Sequence, residues 1–218
     1  MTRTAYYERL KRLARQVRAA NGLDTPRVLK SDLRRIYRKE GIRIDLWDHK
    51  FRHLRGAYFN DDLGPTVMLV KGPPPEPMIF TMAHELKHHL VDRGLALSPC
   101  DTRALGREER SSENEPIEIG AEVFAAELIF PEPEFAEAMA ELHIGVGECT
   151  PEALIRLRHH TRTTMSYTAL AKRAEFLGYA PAGSLGKVKW RTLEEALFGE
   201  PVYKKVQRAR SRRLLQNG

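Results

Sequence analysis

Met78-Ile79-Phe80-Thr81-Met82-Ala83-His84-Glu85-Leu86-Lys87-His88-His89-Leu90-Val91 is the stretch that decides how this chain is read. Ile79, Met82, Ala83, Leu86 and Leu90 recur at helical spacing, and Met78, Phe80 and Val91 widen the apolar surface. The spacing predicts a helix over 78–91, buried on most sides and stopped near Gly94. His84 and His88 stand four residues apart, hence one turn apart on one face, where both imidazoles can reach a single ion. Glu85 falls about 100° round the helix from His84, beside that ion and not on it. An acid in that place suits a base acting on water. The bland alternative is a solvated or hydrogen-bonded histidine pair, and a third ligand is needed to set it aside.

Upstream, Tyr6, Leu10, Leu13 and Val17 predict a surface helix over 4–20 with an Arg/Lys-rich outer side, ended by Asn21-Gly22. Ser31 is a good N-cap for a second helix to Glu40, with Gly41 to close it. The period then changes. Ile42, Ile44 and Leu46 alternate with polar residues, and Gly56–Phe59 and Thr66–Val70 read as two further strands around the turn residues 60–65. A small antiparallel sheet is therefore expected before the proline-rich loop 72–77.

Downstream, a polar connection over 98–115 is longer than most loops in compact domains and is read as functional or mobile. A helix is expected over 116–130, ended by Pro131 and Pro133, then shorter helices at about 134–142, 151–159 and 166–177. Beyond Gly186 the chain turns basic and irregular. Ile117, Ala121, Phe124 and Leu128 mark the buried stripe of the 116–130 helix, and Gly120 suits a close helix–helix approach. That helix also offers Glu118 and Glu122, one turn apart on one face. Catalytic zinc takes three protein ligands and keeps a fourth position for water, so either acid is a candidate.

His84-Glu85-Leu86-Lys87-His88-His89-Leu90, with the later Ile117-Glu118-Ile119-Gly120-Ala121-Glu122-Val123-Phe124-Ala125-Ala126-Glu127-Leu128-Ile129-Phe130-Pro131, resembles the ImmA/IrrE family of metallopeptidases. The resemblance covers roughly residues 31–178. It implies Zn²⁺ held by His84, His88 and Glu118, with Mn²⁺ or Fe²⁺ as alternatives for the same donors, and Glu85 as the catalytic acid–base. Glu122 falls where the family commonly has Asn. It is a supporting residue behind a ligand, a competing ligand or a tolerated substitution. The partner oxyanion stabiliser is sought among His89, His143, His159, His160 and Tyr167. The implied substrate is a protein, a helix-turn-helix repressor, in transcriptional regulation or stress response. The implied fold class is α+β: a mostly helical zincin-like core with the small antiparallel sheet, then a helical segment of helix-turn-helix-like form.

The 218 residues suffice for one substantial core with appendages. We divide them into an N-terminal basic helix (1–30), a metallopeptidase-like core (31–146), a helix-turn-helix-like segment (147–186) and a basic tail (187–218). Hydrophobic residues at 42% and charged residues at 30% are ordinary for a globular protein. No apolar run has the length of a membrane span, and the N-terminus lacks the apolar region of a secretory signal, so the expected compartment is the cytoplasm. Cys100 and Cys149 fall in no C-x-x-C pair and read as free thiols. The net charge of +7 is concentrated at the ends: residues 1–18 hold six Lys/Arg against one Glu, and residues 187–213 nine against three. Basic ends suggest nucleic acid or an acidic protein surface, and a solvated charge distribution accounts for them almost as well. Arg156, Arg158, Arg162, Lys172 and Arg173 make the 150–178 helix pair basic, so a DNA reader is the main rival function. A metal-binding regulator that docks a repressor without cutting it is a third.

Overall fold

The computed structural model describes residues 2–48, 55–71, 75–93 and 115–201. Its elements in chain order are α1 (Arg3–Ala20), α2 (Lys30–Lys39), β1 (Arg43–Trp47), β2 (Gly56–Asp61), β3 (Gly64–Val70) and α3 (Pro75–Val91). There follow α4 (Glu115–Ile129), α5 (Glu132–Glu141), α6 (Pro151–Thr161), α7 (Tyr167–Phe176) and α8 (Trp190–Phe198). The class is α+β, with helices dominant, as expected. No helix among the described residues is long and apolar enough to cross a membrane.

The sheet departs from expectation. Its order is β1-β3-β2, with β2 antiparallel and β1 parallel to β3, so it is mixed and not antiparallel. Asp61 pairs with Gly64 across a two-residue turn, Asp62-Leu63, which forces β2 and β3 to run oppositely. Gly64 takes the positive φ of +93° that this turn requires, and the Asp61 carboxylate accepts from the Leu63 N–H at 2.9 Å. β1 joins the far edge of β3 in register Ile44–Val67 and Leu46–Leu69. Its alternation is the same whichever way the strand points, so the pattern carries no directional information.

α3 packs on that sheet, α4 packs on α3, and α1 packs on α4. Ile79, Met82, Ala83 and Leu86 of α3 and Ala121, Phe124, Ala125 and Leu128 of α4 are all within the buried core. Gly56 lets the start of β2 approach α3, since a Cβ there would meet Thr81 Cγ2 at 2.4 Å. Gly120 does admit a close helix, but the visitor is α1: a Cβ would meet Leu10 Cδ1 at 2.8 Å and Tyr6 Cε1 at 2.9 Å.

Polar groups fasten α1 behind α4. Arg18, buried, donates to the Leu128 and Ile129 carbonyls at 2.9 and 3.2 Å and to the Glu134 carboxylate at 2.8 and 3.0 Å. It thereby satisfies carbonyls that the end of α4 leaves without helical partners. Glu127, with no exposed surface, accepts from Arg15 at 2.8 Å, from Arg173 at 2.7 Å and from the Glu132 backbone at 3.0 Å. Lys11 pairs with Glu132 at 2.6 Å. Three of the six N-terminal cations are thus consumed by internal acids.

Local boundaries also shift. Leu29, not Ser31, occupies the N-cap position of α2, and Asp32 reaches back to the Leu29 N–H at 2.9 Å. Thr150 and Ser166 cap α6 and α7 through the N–H groups of Ala153 and Ala169, both at 3.2 Å. The irregular tail expected beyond Gly186 contains α8. It is held by stacking of Trp190 on Tyr167 and Phe198 on His159, and by Glu194. The 98–114 connection, Cys100 and residues 202–218 lie outside the described residues.

Candidate metal centre

α3 and α4 run antiparallel, and their contact brings His84, His88 and Glu118 to one point. The Nε2 atoms of His84 and His88 are 3.2 Å apart. Glu118 Oε2 is 3.2 Å from His84 Nε2, and its Oε1 is 3.6 Å from His88 Nε2. Ligands at about 2.0–2.1 Å from one tetrahedral ion stand about 3.3–3.4 Å from one another. The two nitrogens and the Glu118 carboxylate, which offers a different oxygen to each, stand at separations close to that value. The donor set, two imidazole nitrogens and one carboxylate, is also one that zinc uses in hydrolases. The residues therefore fit a Zn²⁺ ion.

Electrostatics agree with that fit. Burial pulls the His84 pKa down, but the Glu118 hydrogen bond and the charges of Glu85, Glu118 and Glu122 outweigh it and hold the imidazole above its ordinary value. For Glu118 burial acts upward and is overcome by His84, His88 and Lys87, so its carboxyl is held below the usual range. Acids gathered around two imidazoles make a place for a cation. The His84 and Glu118 side chains keep 17% and 19% exposure, so the cluster is accessible from one side.

Glu85 lies beside the group and is 6% exposed. Burial raises its pKa despite the neighbouring imidazoles and a backbone N–H from Tyr58 of β2, which lower it. A carboxylate tuned upward is a better proton acceptor near neutral pH. Glu122 is exposed and stands outside the ligand group, one turn further along α4; its influence on His84 is through charge.

One functional residue escaped the sequence reading. Asp92, 3% exposed, places Oδ2 at 2.8 Å from His88 Nδ1 and 2.6 Å from Lys87 Nζ. A carboxylate on the far nitrogen fixes the ring so that Nε2 faces His84 and Glu118, where a metal would sit. Lys87, without exposed surface, also donates to the Ile117 carbonyl at 2.9 Å, tying α3 to the first turn of α4. The signal was its spacing: Asp92 is four residues after His88, although it lies just past the end of α3 at Val91.

The suggested oxyanion partners lie elsewhere. His89 faces the Tyr58 hydroxyl at 3.2 Å and Glu40 at 3.7 Å. His159 and Tyr167 both bond Glu194, and His160 bonds Glu141 at 2.6 Å. His143 takes a left-handed turn (φ 56°) just past α5. None of the five joins the ligand group.

A His-His-Glu cluster on two antiparallel helices, an acid beside it and a small sheet against it define an H-E-x-x-H metallopeptidase. The chain belongs to the peptidase family of the IrrE N-terminal-like domain, which matches residues 39–175. The match takes in α3, α4, the sheet, α5, α6 and all but the last residue of α7, while α1, α8 and all but the last residue of α2 lie outside it. Membership in a peptidase family makes a protein the substrate. A comparison with curated proteins finds no match.

Proposed function

We propose that this protein is a zinc-dependent endopeptidase that makes a site-specific cut in a regulatory protein, with His84, His88 and Glu118 as metal ligands and Glu85 as acid–base. The observation that carries the reading is the set of separations 3.2, 3.2 and 3.6 Å among the three ligand side chains. Bound zinc supplies the Lewis acid that polarises a carbonyl and lowers the pKa of water. Glu85 takes the proton of the attacking water on its carboxylate and hands it to the departing amine nitrogen. Asp92 holds His88 in register through Nδ1, and Lys87 neutralises Asp92 in turn.

By the resemblance of the two motifs, the substrate class is a helix-turn-helix transcriptional repressor and the setting is cytoplasmic regulation or stress response. Manganese or iron would suit the same donors. The DNA-reading alternative draws less support, because Arg158 is committed to Glu76 at 2.8 Å and Arg173 to Glu127 at 2.7 Å. For a docking regulator without proteolysis, the upward-tuned Glu85 would have no task. The test is Glu85→Gln: it should keep full zinc content by metal analysis and lose chelator-sensitive cleavage. Normal cleavage by that variant would sink the mechanism.

A further inference from the structure

The two ligand helices open into a groove one turn from the metal centre. Phe80 precedes His84 by a turn on α3, and Glu122 and Val123 follow Glu118 by a turn on α4; because the helices are antiparallel, these residues meet at one end. α7 forms the opposite wall with Ala169, Lys172 and Phe176, enclosing about 550 Å³. That lies inside the roughly 300–1,000 Å³ of ligand clefts. Phe176 is 68% exposed, a large ring left in water at the groove's edge. Four cations line the groove. Lys11 and Arg173 are committed to Glu132 and Glu127, whereas among the described residues Arg55 and Lys172 have no ionic partner.

We propose that this groove holds the substrate on one side of the scissile bond and selects a large apolar side chain followed by an acidic one. The assignment rests on the hydrolase reading above. One helical turn is about 5.4 Å, and an extended chain advances about 3.3–3.6 Å per residue. The groove therefore opens at the second residue from the cut and receives the second and third side chains against Phe80, Ile119 and Val123. Lys172 and Arg55 then meet an acid within the next two positions. Arg55 and Lys172 outnumber Glu122, the groove's acid without an ionic partner among the described residues, and that excess over an apolar floor suits an acidic peptide; a polyphosphate chain needs a run of cations. The α6–α7 pair thus lends its exposed lysine to substrate selection.

The zinc-loaded full chain, incubated with a proteome-derived peptide library, should cut at sites with Leu, Ile, Met or Phe two or three residues from the bond on one side only. Asp or Glu should be enriched just beyond. Lys172→Glu, at an exposed position, should keep its zinc and turn the acidic preference into a basic one. Val123→Arg should lower kcat/KM on the best peptide by about tenfold or more. In the Glu85→Gln background, a fluorescent copy of that peptide should bind, and adding Lys172→Glu should weaken Kd by about fivefold or more. A flat profile, or one unchanged in both variants at full zinc content, overturns the groove assignment and leaves the hydrolase reading standing. If the zinc-loaded wild type cuts no peptide, the hydrolase reading falls and the groove's role falls with it.

Discussion

Replacing Asp92 by leucine should injure the protein in two separable ways. Its Oδ2 serves Lys87 at 2.6 Å and His88 at 2.8 Å, and the three side chains are closed to water, at 0% for Lys87, 4% for Asp92 and 3% for His88. Asp92→Leu leaves the Lys87 ammonium buried with the Ile117 carbonyl at 2.9 Å as its one hydrogen bond among the described residues, beside the Tyr6 ring at 5.9 Å. Removing one partner of a buried pair costs about 3–5 kcal/mol, and the surviving carbonyl bond puts the expected loss at the low end, about 3 kcal/mol. Independently, His88 loses the acceptor that orients its ring. Zinc affinity should drop about 10–100-fold, or about 1.4–2.8 kcal/mol. The double variant Lys87→Met/Asp92→Leu separates the two effects. It removes both charges and should recover most of the stability, since apolar replacement of a buried pair is often neutral, but not the affinity. Urea unfolding of metal-free protein followed by circular dichroism reads the first term, and competition with a chromophoric zinc chelator reads the second. Full zinc affinity in the double variant would refute the orienting role, reducing Asp92 to a counter-ion for Lys87.

Two further outcomes concern groups away from the metal. Cys149 is 6% exposed and burial pushes its thiol up to about 11, so in a Cys100→Ser background it should resist thiol reagents at pH 8 until the chain unfolds. Stoichiometric labelling of the native protein would contradict its burial. Burial, reinforced by Asp92, raises Tyr6 to about 12, and burial with the Glu194 hydrogen bond raises Tyr167 to about 12. Because the fold favours the neutral phenols, their contribution is complete below the ordinary value of about 10 and is lost as pH climbs towards 12. Thermal stability should therefore decline above pH 10, less steeply in Tyr6→Phe/Tyr167→Phe, and absorbance at 295 nm should titrate later in native than in urea-unfolded protein. Coincident titrations would count against it.

Both ligand helices were legible because their apolar stripes are dense and Glu118 follows from the resemblance of the second motif. Strand existence was legible from alternation, but pairing direction was not, since Ile44 and Leu46 meet Val67 and Leu69 equally well either way. α8 buries no residue fully, yet Trp190, Leu193 and Leu197 recur at helical spacing; it was passed over because the basic residues around it were read as a tail. The charge of the N-terminal segment was misleading in kind. Lys11, Arg15 and Arg18 look like a surface for an outside anion, yet each has its anion inside the fold, on residues more than a hundred positions away. Asp92 was missed because it follows the last residue of α3, Val91, and only the fold brings its carboxylate back to His88 and Lys87.

The brace behind α4 has a consequence for how the centre is supported. On the side of α4 away from α3, Leu10 and Tyr6 fill the notch at Gly120, two residues from Glu118, and Arg18 holds the helix at its other end. These residues all precede the span that matches the family. The helix that carries Glu118 is therefore packed on its far side by a helix outside the matched span, and α1 shares one buried core with α3 and α4.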